Sequence, residues 1–116
     1  MEFPIIIDVW IVDPSRQEEL VQCLRESIRQ LVVSEPGFVS AEIYEGANRG
    51  KVAVKLSMRS SDARRNLMDK PEVGRVFRRA KEIATDHSSF YRLVESFQAP
   101  PAPESAVPDV QASETR

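Results

Sequence analysis

The stretch of residues 35–58, EPGFVSAEIYEGANRGKVAVKLSM, decides the fold of this chain. Its first three residues end a helix, because proline cannot continue a helix and glycine turns freely. Two strand-like runs follow, Phe38–Tyr44 and Lys51–Ser57, each rich in β-branched and aromatic side chains. The segment 45–50 between them holds two glycines and an asparagine. This composition predicts a β-hairpin.

Upstream of the hairpin, the sequence predicts one strand and one helix. The β-branched run Ile5–Val12 reads as the strand, and Asp13-Pro14-Ser15 stops it. Ser15 and Glu18 have the spacing of a capping box, which predicts that the helix opens there. The apolar residues of the helix recur at helical spacing and define one buried stripe: Leu20, Leu24, Ile28, Leu31 and Val32.

Downstream of the hairpin, the sequence predicts a broken helix and a last strand. Ser60-Ser61-Asp62 caps a short helix that runs to about Asp69, and Pro71 starts another. Asp86-His87-Ser88 is expected to break that helix, and Ser89–Phe97 to form the strand. From residue 99 the chain is Pro-rich and then polar, which is typical of a disordered tail. We therefore expect one domain over residues 1–98 and a tail over 99–116.

The predicted order β-α-β-β-α-β, with the second helix broken in two, indicates an α+β fold of ferredoxin-like architecture. In this fold a four-stranded antiparallel sheet carries its helices on one face. Both faces of the first strand are largely apolar, with Ile5, Ile7 and Val9 on the side away from Ile6 and Trp10. Because a large apolar face exposed to water usually marks an interface, we expect a homodimer through the open sheet face.

Composition restricts the possible classes of protein. The formal net charge of −2 argues against a nucleic-acid binder, which usually carries a basic excess. The longest apolar run, Ile5–Ile7, is too short to cross a membrane, and residues 1–4 do not resemble a signal peptide. The single cysteine, Cys23, cannot form an internal disulfide. These features predict a soluble cytoplasmic protein.

Three segments resemble one known family. Residues 9–13, the turn Glu35-Pro36-Gly37-Phe38, and the run 58–63 ahead of Pro71 are similar to the antibiotic biosynthesis monooxygenases, a family of dimeric α/β-barrel proteins. The likeness covers about residues 4–97. The family includes cofactor-free oxygenases, haem-degrading enzymes and members without a known role. The resemblance implies a dimeric α/β barrel with a pocket between the sheet and the helices.

Several family residues are replaced in this chain. Many members have a tryptophan where the third strand enters the second helix, and this place holds Met58. Many have a histidine on the short helix, where this chain has Leu67. The asparagine, tryptophan and histidine of the haem-degrading members fall on Asp8, Leu67 and Phe77. Without an imidazole there, the resemblance implies no haem, and we expect no cofactor.

Asp8 is the strongest candidate for a catalytic residue. A carboxylate within the apolar run Ile5–Trp10 is costly to bury unless it is paired. Asp8 shares a strand face with Trp10, and the resemblance implies that this face lines the pocket. Burial there would raise the pKa of Asp8 towards that of a general base at neutral pH. The alternative is a half-exposed Asp8, or one that pairs with Lys55 or Arg92.

The other candidates are weaker. His87 is the only histidine, which excludes a multi-histidine metal site, so we expect no metal. It is a second catalytic candidate or, at the predicted C-terminus of a helix, simply a capping residue. Trp10 would stack on a flat substrate, or belong to the core. Met58, Leu67 and Phe77 complete the predicted substrate-binding set.

Two classes of function follow from these residues and from the resemblance. In the first, a cofactor-independent monooxygenase binds a small aromatic or quinone-type molecule, and Asp8 removes a proton so that the anion reacts with O₂. In the second, a dimer of the same fold binds a small hydrophobic ligand without turnover. Isomerase or cyclase chemistry with one acid–base group is a further alternative, because a fold does not fix a function.

Overall fold

The computed structural model describes residues 1–102, and residues 103–116 lie outside the described part. Its strands and helices follow the predicted order, and the predicted break within the second helical region is confirmed. They are β1 (Ile5–Val12), a 3₁₀ turn (Pro14–Arg16), α1 (Gln17–Ser27), a π-helical segment (Ile28–Val32), β2 (Phe38–Glu45), β3 (Lys51–Met58), α2 (Ser61–Met68), α3 (Pro71–Ile83) and β4 (Ala84–Tyr91).

The four strands form one antiparallel sheet in the order β2-β3-β1-β4, so β1 lies at its centre. The even-numbered residues of β1 are buried and the odd-numbered ones are more exposed, as the alternation of side chains along a strand requires. Trp10 and Val12 of β1 pack with Leu20 and Leu24 of α1 in the main core. The predicted ferredoxin-like fold, with its helices on one face of the sheet, is confirmed.

The first helix begins and ends differently from the prediction. The predicted capping box is wrong, since Asp13 rather than Ser15 accepts the capping hydrogen bond, from the backbone N–H of Ser15 at 2.9 Å. Proline at the first position then lets the helical turn start at once. At the other end the helix widens into the π-helical segment, where the Ser27 hydroxyl donates to the carbonyl of Cys23 at 2.7 Å. Such segments are rare and often occur at functional sites.

The predicted position of the last strand is also wrong. β4 spans Ala84–Tyr91 rather than Ser89–Phe97, and Asp86, His87 and Ser88 lie inside it. Each residue of β4 lies opposite a residue of β1, from Ala84 opposite Val12 to Tyr91 opposite Ile5. This pairing gives hydrogen-bond partners to the backbone of Asp86, His87 and Ser88, which have low strand propensity. Pairing with β1 therefore overrides the local conformational preference of these residues.

The segment after β4 has no regular secondary structure up to residue 102. Most of the predicted tail, 103–116 of 99–116, falls outside the described residues. Among the helices of residues 1–102, none combines the length and the apolar character needed to cross a bilayer.

The sheet face opposite the helices carries apolar side chains that no helix covers. Ile5, Ile7 and Val9 of β1 are only half-buried. On the same face, Ile11 of β1 and Tyr91 of β4 are 45% and 44% exposed. When water covers one face of an antiparallel sheet, the side chains on that face are normally polar. The face is therefore an unpartnered apolar surface in the single chain.

The turn that ends the first helix requires glycine at position 37. Gly37 has a φ of +87°, and a β-carbon there would lie 2.6 Å from the Ala63 β-carbon of α2. We expect Gly37→Ala to lower the free energy of unfolding by about 2–4 kcal/mol, from left-handed strain and overlap together. Urea unfolding measures this loss.

Two further variants separate the causes of that loss. Adding Ala63→Gly to Gly37→Ala should recover part of the stability, because it removes the overlap and leaves the strain. Gly74→Ala is the matched control, since its β-carbon would lie 3.7 Å from the nearest atom, on the flexible Arg78 side chain. In a helix this change should be neutral or stabilising by about 1 kcal/mol. Equal losses in Gly37→Ala and Gly74→Ala would contradict the explanation.

Candidate functional site

A mostly apolar cavity of about 90 Å³ lies between the sheet and the helices. The sheet supplies its floor, and the first helix, the π-helical segment, α2 and α3 supply its walls. The lining residues are Ile6, Asp8, Trp10, Leu24, Ser27, Ile28, Leu31, Val32, Val54, Leu56, Leu67, Met68, Val73, Val76, Phe77 and Ala80. Asp8 is the only ionisable residue in this set. A concave apolar pocket with a few polar groups is the usual form of a small-molecule site.

Asp8 is buried in the floor of the cavity. Its side chain is on the helix-facing side of β1, and the residue is 4% exposed. In the antiparallel registers it lies opposite Val54 of β3 and Ser88 of β4. No ion pair to Lys55 or Arg92 is present within residues 1–102, and Lys55 lies opposite Ile7, on the other face of the sheet. The half-exposed or bridged alternative is therefore wrong.

The surroundings of Asp8 favour its neutral form. Burial raises the pKa of Asp8 from an ordinary value of 3.8 to about 7, and the nearby Asp86 adds to this effect by charge repulsion and by a hydrogen bond to the protonated form. Lys81 acts in the opposite direction. A carboxyl group with a pKa near 7 can hold and release a proton at neutral pH, which is what a general base must do.

Asp86 is a site residue that sequence reasoning missed. It lies on β4 opposite Trp10, so it is the diagonal neighbour of Asp8 on the same sheet face. The Lys81 Nζ atom lies 3.9 Å from its Oδ1 atom, and the Asp86 side chain is 11% exposed. The signal in the sequence is the alternation of side chains between the two faces of a strand. If the strand starts at Ala84 rather than Ser89, this alternation places Asp86 on the helix-facing side of the sheet.

Trp10 forms a second part of the cavity floor. It is fully buried, and its ring stacks on Phe77 with a centroid separation of 6.0 Å and an interplanar angle of 27°. Within residues 1–102, the Trp10 Nε1 and Asp8 Oδ1 atoms are the buried side-chain polar atoms that lack a hydrogen-bond partner. Native proteins rarely leave such groups unpaired, and the exceptions often have a functional cause.

The cavity adjoins a surface groove between the first helix and α3. Ser27, Leu31 and Val76 line both the cavity and a shallow surface groove. The groove also contacts Gln30 and Arg79, which are exposed. The cavity and the groove therefore meet at the side chains of Leu31 and Val76.

The structure brings together most, but not all, of the predicted site residues. Asp8, Trp10, Leu67 and Phe77 all line the cavity. Met58 does not line it, because it is buried in the core beside Leu67.

His87 lies opposite Val9 on the other face of the sheet and is exposed. Since it is in the middle of β4, the predicted helix-capping position is wrong, and the sheet separates it from Asp8. Within residues 1–102, no group of three His, Cys, Asp or Glu side chains is placed to hold a metal ion.

Several solved structures share this fold. No protein-family model matches the chain, and no curated protein matches it. A monooxygenase from Streptomyces coelicolor, ActVA-Orf6 in complex with the ligand nanaomycin D, superposes with a TM-score of 0.75 at 17% identity, over 83% of this chain and 91% of its own.

Two further structures extend the comparison. SnoaB, a cofactor-independent oxygenase from Streptomyces nogalater, has a TM-score of 0.66 at 13% identity, over 82% of this chain and 96% of its own. A proposed antibiotic biosynthesis monooxygenase from Caulobacter crescentus has a TM-score of 0.71 at 14% identity, over 81% of this chain and 94% of its own. The chain therefore has the fold of the antibiotic biosynthesis monooxygenases, and at these identities the likeness establishes the fold alone.

Proposed function

We propose that this protein is a cofactor-independent monooxygenase that acts on a small aromatic substrate with O₂. The observation that carries the proposal is the Asp8 carboxyl group, buried in the floor of an apolar cavity with a pKa of about 7 and one oxygen atom without a partner. A base in an apolar, shielded site is what the deprotonation of a phenol or an activated CH₂ group requires.

The proposed reaction starts with transfer of a proton from the substrate to Asp8. The substrate anion gives one electron to O₂, and the two radicals combine to form a carbon–oxygen bond. For an anthrone, loss of water from the resulting peroxide leaves a carbonyl group on the reacting carbon. One oxygen atom of O₂ stays in the product, and the other leaves as water with the two hydrogens of the CH₂ group. The protein binds and orients the ring, excludes water and holds the proton.

The comparisons support this proposal at the level of fold. A cofactor-independent oxygenase and a monooxygenase in complex with the ligand nanaomycin D are among the structures that share it. Fold alone does not establish an activity, so the weight rests on Asp8 and its cavity.

The test is oxygen uptake by metal-stripped protein over a panel of anthrones, naphthols and hydroquinones. We expect uptake above the uncatalysed rate for at least one member, with one labelled oxygen atom per product molecule when ¹⁸O₂ is used. Labelling separates oxygenation from simple oxidation of a hydroquinone.

A blocked-entrance variant controls for reaction outside the cavity. Leu31→Trp places a bulky ring where the cavity meets the groove, and Leu31 tolerates change because it is only half-buried. We expect this variant to lose most of the uptake. Uptake that is unchanged by Leu31→Trp, or absent across the panel from folded protein, would overturn the proposal.

A second candidate function is ligand binding without turnover. Met58 and Leu67 stand where the resemblance implies a tryptophan and a histidine, and both are buried apolar residues. A chain that lost the catalytic side chains but kept the cavity would bind the same aromatic ligands. Saturable binding of an anthrone together with no oxygen uptake and no isomerisation of the ligand would favour this function.

We also propose that two copies pair through the open sheet face. Four strands of eight residues, about 4.8 Å apart with about 3.3 Å per residue, give a face on the order of 500 Å². Ile7, Val9 and Ile11 run along its centre, where water would otherwise meet them. Leu93 and Val94, which follow β4 in the chain, are 66% and 82% exposed and are further apolar residues that water meets. Burial in a dimer removes this surface from water.

The dimer is tested by a charge at the centre of the face. Sedimentation velocity should show a dimer for the wild type at micromolar concentration and a monomer for Val9→Lys, because a buried unpaired ammonium is strongly unfavourable. Val33→Lys is the matched control, since Val33 is 47% exposed at the end of the first helical region, away from the sheet face. A monomeric wild type, or a dimer that survives Val9→Lys, would contradict the proposal.

A further inference from the structure

Arg64, in α2, is a buried cation without a counter-ion. The residue is 7% exposed, although charged side chains are seldom buried unless an opposite charge pairs with them. Arg64 takes no part in the ion pairs of residues 1–102, whose cations are Arg16, Arg65, Lys70 and Lys81. Its positive charge is therefore not neutralised by an ion pair in the part of the chain that the structure describes.

The contacts of the Arg64 side chain fix the plane of its guanidinium group. The Cζ atom lies 3.8 Å from the centroid of the Phe90 ring, and the Nε–H group donates to the Phe3 carbonyl at 2.8 Å. The ring therefore covers one face of the guanidinium, and the carbonyl takes one of its five N–H donors. The Nη1 and Nη2 groups, which carry the other four donors, have no acceptor among residues 1–102.

The two Nη atoms of Arg64 are open to water. Within the described chain, the buried side-chain nitrogen and oxygen atoms that lack a hydrogen-bond partner belong to Asp8 and Trp10 alone. The unpaired Nη atoms of Arg64 are therefore not buried, and the Phe90 ring beside them is 48% exposed. A fork of donors held in a fixed plane, with its outer edge accessible, is the arrangement in which arginine binds a carboxylate or a phosphate.

A second arginine lies next to this fork. The Arg92 Cζ atom is 5.9 Å from the centroid of the ring of Phe3, the residue whose carbonyl Arg64 contacts. Arg92 is exposed and makes no ion pair within residues 1–102. Glu2 precedes Phe3, but its carboxylate accepts a hydrogen bond from the Ser61 N–H and pairs with neither arginine. Two adjacent positive charges without a counter-ion favour a doubly charged anion over a singly charged one.

We propose that Arg64 and Arg92 form a binding site for a phosphate dianion, either the free ion or the end group of a small phosphate monoester. The Arg64 fork donates to two phosphate oxygens, and Arg92 balances the second negative charge. Phe3 and Phe90 hold the two guanidinium groups in place. None of these four residues lines the apolar cavity that contains Asp8, so the inference is independent of the proposed oxygenase function.

Titration with inorganic phosphate, followed by NMR, tests the site. The titration is made at pH 7.5 and at constant ionic strength, with sodium chloride as the balancing salt. We expect saturable shifts of the backbone amide signals of Phe3 and Arg64, which lie at the site. Acetate carries one charge and should bind at least about tenfold more weakly than phosphate.

Three variants assign the binding to the two arginines. Arg92→Gln should weaken phosphate binding by about tenfold, and Arg64→Lys by at least as much, because lysine keeps the charge and loses the fork. Arg78→Gln is the matched control, since it removes the same charge from an exposed arginine of α3 that makes no ion pair within residues 1–102. It should leave the phosphate affinity within about twofold of the wild type.

The proposal is overturned if phosphate causes no saturable shift, if acetate binds as tightly as phosphate, or if Arg78→Gln weakens binding as much as Arg92→Gln does. Because Arg92 is exposed, Arg92→Gln keeps the test valid even if Arg64→Lys fails to fold. A parallel titration with glycerol phosphate separates the two sources of the anion. Tighter binding than inorganic phosphate indicates a monoester, weaker binding indicates the free ion, and either result supports the site.

Discussion

Replacing Asp8 with asparagine is expected to lower oxygen uptake at pH 8 by at least about a hundred-fold, because a positioned general base contributes that much or more to a rate. Asparagine has nearly the same shape and cannot take a proton, so the cavity keeps its form. The measurement is the initial rate on the best substrate of the panel, with folding of the variant checked by circular dichroism.

The pH dependence of that rate identifies the base. Because the pKa of Asp8 is raised to about 7, wild-type kcat/KM should rise with pH and level off above about pH 7, where the carboxylate is ionised. Asp86→Asn removes a neighbouring negative charge that raises this pKa, so the midpoint should move to lower pH. Lys81→Met removes a positive charge that lowers it, so the midpoint should move to higher pH.

The decisive result is that the pH midpoint of kcat/KM moves down in Asp86→Asn and up in Lys81→Met. A general disturbance of the structure would not be expected to move the midpoint in opposite directions in the two variants. A His87→Gln variant controls for the single histidine, which lies on the other face of the sheet. If the pH midpoint changes in His87→Gln but stays the same in Asp86→Asn and Lys81→Met, Asp8 is not the base.

The fold was predictable because its signals are local. The hairpin loop, the helical stripe and the alternation along β1 each act within a few residues, and the structure has the predicted elements. β4 was placed five residues late, because Asp86-His87-Ser88 has no intrinsic preference for a strand. Only the ladder to β1 makes it one, and a sequence does not show that pairing.

The candidate site was predictable only in part, for the same reason. Asp8 and Trp10 stand out because a carboxylate and an indole interrupt a β-branched strand. Asp86 does not stand out, since its closeness to Asp8 depends on the register between β1 and β4. The π-helical segment has no sequence signal of its own, although Ile28, Leu31 and Val32 line the cavity. Residues that act through long-range register are the ones that local reasoning misses.

A second large effect is expected on stability, where the buried Asp8 should make the native protein less stable as the pH rises. In the unfolded chain Asp8 ionises near its ordinary pKa of 3.8, and in the folded chain near 7. Between these values the folded state binds the extra proton, so its stability falls with increasing pH and stays low above about pH 7. At about 1.4 kcal/mol for each pKa unit, the loss is up to about 4 kcal/mol.

Urea unfolding from pH 5 to pH 8 at fixed protein concentration measures this slope. Asp8→Asn should flatten it and should unfold at a higher urea concentration than the wild type at pH 8. The range is chosen because Glu2, Asp13 and Glu19, whose pKa values are lowered by hydrogen bonds, are ionised in both states throughout it.

His87→Gln again serves as the control and should keep the wild-type slope. A wild type whose stability is constant or rises from pH 5 to pH 8 would show that Asp8 is ionised in the folded protein at acidic pH. That result would remove the base from the proposed reaction. Asp8→Asn is thus expected to lower the oxygenase activity and to raise the stability at pH 8. The reason is that a carboxyl group kept for catalysis in an apolar cavity destabilises the folded protein.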